Sequence, residues 1–74
     1  MNLNNLEYNK KAIITNVNLH GIKKRRLYDL GFIKGESVTK EFESIFGNPI
    51  CYLIKNTKVA LRNEDASCIE VSYE

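Results

Sequence analysis

The chain contains no tryptophan and only one histidine, one proline and one methionine. A single histidine excludes the paired-histidine spacings of zinc sites and leaves no supported Ser/His/Asp or Cys/His arrangement. The two cysteines, Cys51 and Cys68, are too few for the disulfide framework of a small secreted domain and form no Cys-x-x-Cys. On strand-like segments they read as small buried apolar residues in a reducing compartment, with a disulfide or metal role as the alternative. No apolar run approaches the roughly 18 residues that a membrane span needs. The N-terminus has neither an early positive cluster nor an apolar stretch behind it, so no signal peptide is expected. There is no Gly-x-x-x-x-Gly-Lys-[Ser/Thr] phosphate loop. These absences together predict a cytosolic, non-enzymatic protein with no cofactor and no direct membrane insertion.

With 74 residues, the chain is expected to form one domain over residues 1–74. A domain of this size buries only about 60–65% of its unfolded surface, so its core must be thin. The formal net charge of +2 is too small to argue for nucleic acid as a partner. Leu3 and Leu6 have the i, i+3 spacing of one short helical turn packed on the body. Ala12 to Val17 is β-branched and predicts the first strand. Asn18 is a candidate N-cap for a helix of about ten residues, whose apolar face is expected to be Leu19, Ile22, Leu27 and Leu30. Arg25 and Asp29 are spaced to pair across one turn. Gly31 stands where a helix needs a left-handed closing residue, and Lys34-Gly35 forms a tight turn.

Glu36 to Phe42 predicts a second strand with Val38 and Phe42 on one face. Ser44 to Asn48 reads as a loop. Pro49 can start the next strand, Ile50 to Ile54, which is apolar on both faces. Asn56-Thr57 is the expected hairpin centre, although threonine is unfavourable at positive φ. Val59 and Leu61 alternate in a fourth strand, Asn63 to Ala66 forms one helical turn, and Ile69, Val71 and Tyr73 alternate in a fifth. Five short strands in so short a chain favour a closed or nearly closed barrel, which removes exposed edges. The fold class expected is mainly β, with a helix inserted after the first strand.

Two features stand out as candidate partner-binding sites. Lys23, Lys24, Arg25 and Arg26 are the only concentrated charge. On a helix they span about 300°, so they cannot form one patch. They read as a solvated face or as a docking surface for an acidic partner. Ile45 and Phe46 sit in a loop that needs neither of them to turn, with Pro49 at its base. They either fold over the barrel mouth or form an exposed recognition patch, in which Phe46 would be the anchor.

The order of Leu3…Leu6, Ala12-x-Ile14, Arg26-Leu27-Tyr28-Asp29-Leu30-Gly31-Phe32, Lys34-Gly35, Asn48-Pro49, Ala60-Leu61-Arg62 and Ala66 followed by Ile69-x-Val71 resembles the FeoA family. That family comprises small cytosolic accessory proteins of the FeoB ferrous iron transporter. The resemblance implies a small SH3-like five-stranded barrel with an inserted helix, and docking on the cytoplasmic GTPase region of a FeoB-type membrane transporter. It carries over no catalytic residue. The chain departs from the family pattern at Tyr8-Asn9-Lys10, Lys34, Asn48 and Asn56. Competing readings are an SH3-like peptide-binding module, a regulatory module like the third domain of metal-dependent repressors, and nucleic-acid binding through the basic helix.

Overall fold

The structure, a computed structural model, describes residues 1–74. A 3-10 turn over Leu3–Asn5 precedes β1 (Lys11–Val17), α1 (Gly21–Leu30), β2 (Ser37–Glu43), β3 (Ile50–Ile54), β4 (Thr57–Leu61), α2 (Asn63–Ala66) and β5 (Ile69–Tyr73). The strands form one antiparallel sheet in the order β4-β3-β2-β1-β5. The outermost strands, β4 and β5, do not pair with each other. Leu3–Asn5 packs against both α2 and β5 and so covers the barrel where the sheet is not joined. Met1 O accepts the Val71 amide at 2.8 Å, which fastens the N-terminus along β5. The architecture is the mainly β, nearly closed barrel expected from the sequence.

The core follows strand alternation. Ala12 and Ile14, then Ile50, Tyr52 and Ile54, then Val59 and Leu61, then Ile69 and Val71 point inward, joined by Leu3, Leu6 and Phe32. Burying each large apolar side chain contributes about 1.5–3 kcal/mol. The link between α1 and β2 is also tied down. Gly31, at φ 108°, donates its amide to the Leu27 and Tyr28 carbonyls. The Gly35 amide reaches Ile14 O at 2.8 Å and the Ile14 amide reaches Glu36 O at 2.9 Å.

Five expectations are corrected. The hairpin centre is Lys55-Asn56, with φ of 48° and 62°, and Thr57 opens β4 opposite Ile54. Shifting the turn by one residue frees threonine from the positive φ that disfavours it. Phe42 does not share the face of Val38. Lys40 faces inward with Val38 by ordinary alternation, but a register break between Lys40 and Phe42 inserts an extra residue and leaves Phe42 exposed. In α1 only Leu27 is buried, while Ile22 and Leu30 are exposed. At 100° per residue Ile22 lies about 140° around the helix from Leu27, too far to share one contact face. The helix begins after His20 rather than Asn18, and Asn18 Nδ2 instead donates to Glu70 Oε2 at 2.7 Å. Arg25 and Asp29 form no ion pair; the salt bridges are Lys23–Asp65 and Lys55–Glu36.

The inward turn of Lys40 buries an ammonium group, with only 6% of the residue exposed. Its Nζ donates to Asn4 O at 2.9 Å and lies 4.7 Å from the centre of the Tyr8 ring. Nearby on the inner face, the Tyr52 hydroxyl is buried without a hydrogen-bond partner. Burial, reinforced by Tyr8, pushes the Tyr52 hydroxyl pKa up to about 12. The raised value means that the folded state holds this proton more tightly. Stability from Tyr52 is therefore complete below pH 10 and is lost as pH rises toward about 12.

Tyr52→Phe is expected to raise the thermal midpoint at pH 7 by several degrees, since an unpaired buried polar group costs about 1–3 kcal/mol. It should also flatten the decline in stability between pH 10 and about 12. Differential scanning fluorimetry across that range checks both, and a lowered midpoint at pH 7 would show the hydroxyl to be stabilising.

Candidate partner-binding surface

Helix α1 places its cations in three different settings. Taking Leu27 as the inward direction, Lys23 and Leu30 lie within roughly 60° of it on one side. Lys24 and Tyr28 occupy the other flank at roughly 60–100°, and Ile22, Arg25 and Asp29 face outward. Arg26 sits between, at about 100°. Lys23 Nζ reaches Asp65 Oδ1 at 3.1 Å, which ties α1 to α2. That hydrogen bond, with the charge of Asp65 behind it, raises the pKa of Lys23. Lys24, Arg25 and Arg26 are exposed and have no ion-pair partner. The four-residue basic run therefore divides into one structural tie and three free cations.

The β2–β3 connection resolves the choice left open for Ile45 and Phe46. They are 94% and 92% exposed, so the tip projects into solvent rather than folding over the barrel. Its base is nevertheless fixed. The Gly47 amide closes a turn onto Ser44 O at 2.9 Å, and the Ser44 amide reaches Pro49 O at 3.2 Å. Pro49 is half-buried and joins Asn48 through a cis peptide bond. Asn48 Oδ1 accepts the Asn63 amide at 2.9 Å, and Asn63 Nδ2 donates to Gly47 O at 3.4 Å. Asn63 begins α2, and Asp65, which holds Lys23, lies two residues further along it. Residues two apart on a helix face different ways. The tip and α1 are thus held by different sides of the same short turn.

A third feature was not legible as a site in the sequence. The flank of α1 that carries Lys24 and Tyr28 borders a groove of about 180 Å³, completed by Asn16, Val17, Phe32, Ile33 and Lys34. The i, i+4 spacing of Lys24 and Tyr28 was available as a signal, but the opposing wall comes from β1 and the 32–34 segment. No three His, Cys, Asp or Glu side chains converge anywhere in the chain. Cys51 and Cys68 are free thiols, each half-buried.

The family model for the FeoA domain matches residues 1–73. The chain belongs to the FeoA family. It is 39% identical over 72 residues to a Campylobacter jejuni protein named Fe(2+) transport protein A, covering 97% of each chain. It is 34% identical over 71 residues to a Porphyromonas gingivalis Fe(2+) transport protein A/Fe(2+) transporter FeoB fusion protein, covering 96% of this chain and 8% of that one. Among solved structures, a Stenotrophomonas maltophilia FeoA crystallised with zinc and described as an SH3 domain protein superposes with a TM-score of 0.85. It is 33% identical, over 97% of this chain and 89% of that one. The barrel is accordingly SH3-like, and the family is one of ferrous iron transport. No helix of this FeoA-family chain is long and apolar enough to cross a membrane.

Since Asn48 supplies the acceptor for an otherwise unpaired helix-start amide, Asn48→Ala should destabilise the fold by about 1 kcal/mol. Asn48→Asp keeps the acceptor and should stay near wild type. Urea unfolding of the two variants checks this; equal losses in both would show that the Asn48–Asn63 bond does not hold the loop.

Proposed function

We propose that this chain is a non-enzymatic accessory protein of ferrous iron uptake that docks, in the cytosol, on the GTPase region of a FeoB-type transporter. The observation that carries this reading is the Porphyromonas gingivalis fusion, in which a region similar to this chain is continuous with a FeoB transporter. Joining two modules in one polypeptide gives each a high effective concentration at the other, which favours a working contact between them. The exposed chemistry suits such a contact. Phe46 is a rigid aromatic side chain on a fixed loop base, and aromatic residues dominate the energetics of many interfaces. Lys24, Arg25 and Arg26 supply unpaired positive charge for an acidic surface.

A docked barrel alters transport only if it binds two states of the transporter with different affinity. The proposed mechanism is therefore a bias on the nucleotide-linked equilibrium of the partner rather than chemistry performed by the barrel. The proposed bias calls on neither Cys51, Cys68 nor His20.

Isothermal titration of this chain against the GTPase region of the FeoB-type transporter, with and without guanine nucleotide, tests the reading. Binding is expected, with an affinity that depends on the nucleotide. Phe46→Ala should weaken it by at least about tenfold while leaving the thermal midpoint unchanged, since the side chain is 92% exposed. No heat of binding in either nucleotide state would overturn the docking reading. An unchanged affinity in Phe46→Ala would remove Phe46 from the interface.

A further inference from the structure

The groove beside α1 differs in charge from the other depressions formed between separate parts of the chain. The depression at Lys10, Lys11 and Tyr73 contains Glu7 and Glu74, and the one at Lys11 and Lys55 contains Glu36. Two further depressions consist of α1 residues alone and have no opposing wall. The α1–β1 groove is lined by Lys24 and Lys34, apolar Val17 and Ile33, and the Tyr28 ring, with no carboxylate. Neither lysine has an ion-pair partner. Glu70, the carboxylate that reaches Asn16 from outside the groove, is already held by Asn18 at 2.7 Å.

The groove is also pre-formed. Phe32, one of its lining residues, is 1% exposed and packs in the hydrophobic core, which fixes that wall. The 33–36 segment is held to β1 by the Gly35–Ile14 and Ile14–Glu36 backbone bonds, both under 3 Å. At about 180 Å³ it is smaller than the roughly 300–1,000 Å³ of small-molecule pockets. It has room for one side chain of a peptide.

We infer that this groove receives a short acidic segment of a protein partner. One aliphatic side chain sits between Val17, Tyr28 and Ile33, and carboxylates on either side of it meet Lys24 and Lys34. The assignment of that segment to the FeoB-type transporter rests on the docking reading above; the groove's preference for an acidic, apolar-centred peptide does not. Exposed ion pairs of this kind are individually weak and salt-sensitive, so the interaction selects and orients more than it anchors.

Two arms test it. In the first, the isotopically labelled chain is titrated with the capped pentapeptide Asp-Asp-Leu-Asp-Asp and observed by amide chemical shifts. Saturable shifts at Val17, Tyr28, Ile33 and Lys34 are expected. The paired substitution Lys24→Glu and Lys34→Glu should weaken them at least about fivefold. Lys10→Glu with Lys11→Glu, which changes net charge equally, should not. Lys-Lys-Leu-Lys-Lys and Asp-Asp-Ser-Asp-Asp should produce no saturable shift there. Absence of shifts at the groove, or equal weakening by both charge-reversed pairs, overturns the proposal.

In the second arm the GTPase region replaces the peptide. A loss of at least about tenfold in the Lys24/Lys34 variant supports the transporter as the source of the segment. Binding that the variant leaves unchanged overturns that assignment while the docking reading stands. Peptide binding without any binding of the GTPase region sinks the docking reading and supports the groove.

Discussion

The buried ammonium of Lys40 is the constraint on which the arrangement of the surfaces depends. Drawing an ammonium partly out of water beneath the N-terminal strap is costly, and this desolvation lowers the pKa of Lys40. A lowered value means that the unfolded chain binds this proton more readily than the fold does. The desolvation cost is therefore carried at neutral pH and lifts only as pH rises through the folded-state value. What offsets it is the N-terminal strap: the Asn4 carbonyl, the Tyr8 ring, and the Asn9 amide on Lys40 O at 2.8 Å. With the strap in place, Leu3 and Leu6 enter the core and Leu3–Asn5 meets α2. Through Asn63 and Asp65, α2 then positions the β2–β3 tip and α1. The candidate partner-binding surfaces are linked to the core through this one chain of contacts.

Helix α1 shows the same dependence from the other end. Ten residues are too few for an isolated helix to be stable in water, and this one buries only Leu27 along its length. Its hold comes from the ends: Gly31 closing the last turn, Phe32 passing into the core, and Lys23 on Asp65. A helix fastened in this way leaves most of its surface free. The consequence for recognition is that Arg25 and Ile22 face outward, Arg26 stands at the side, and Lys24 and Tyr28 turn toward β1. Two surfaces of different character are presented by one short element.

The end of α1 and the turn into β2 are readable because they are set locally. Gly31 and Gly35 take φ of 108° and 95°, where glycine is the natural occupant, and both mark chain reversals that the sequence announces. Side-chain direction was less readable because it depends on counts that a local feature can change. Strand alternation assigns Phe42 to the face of Val38, but the extra residue at the bulge inverts the order after Lys40. Apolar spacing alone groups Ile22 with Leu27, but Ile22 lies too far round the cylinder to share its face. The unfavourable threonine in the hairpin was itself the sign that the turn lay one residue earlier. At the candidate sites, composition identified Ile45 and Phe46, but only tertiary structure shows that they project. Neither the Asn48–Asn63 tie nor the groove could be found without it, since each joins segments far apart in the chain.

The distribution of these features suggests a division of work in the proposed docking. Phe46 and Ile45 are exposed and apolar, and they gain most from being covered; they would govern how slowly a complex separates. The free cations of α1 act at longer range and would govern approach and orientation, with an effect that weakens as salt rises. A net charge of only +2 does not contradict this, because α1 carries four cations against the single carboxylate of Asp29, while Asp65 is held by Lys23, Glu36 by Lys55, and Glu70 by Asn18. What a partner meets is the local field near α1, not the average over the molecule. On this argument, moving a free cation from α1 to the strands disturbs recognition more than removing an equal charge from the strands, even though net charge is unchanged in the first case and altered in the second.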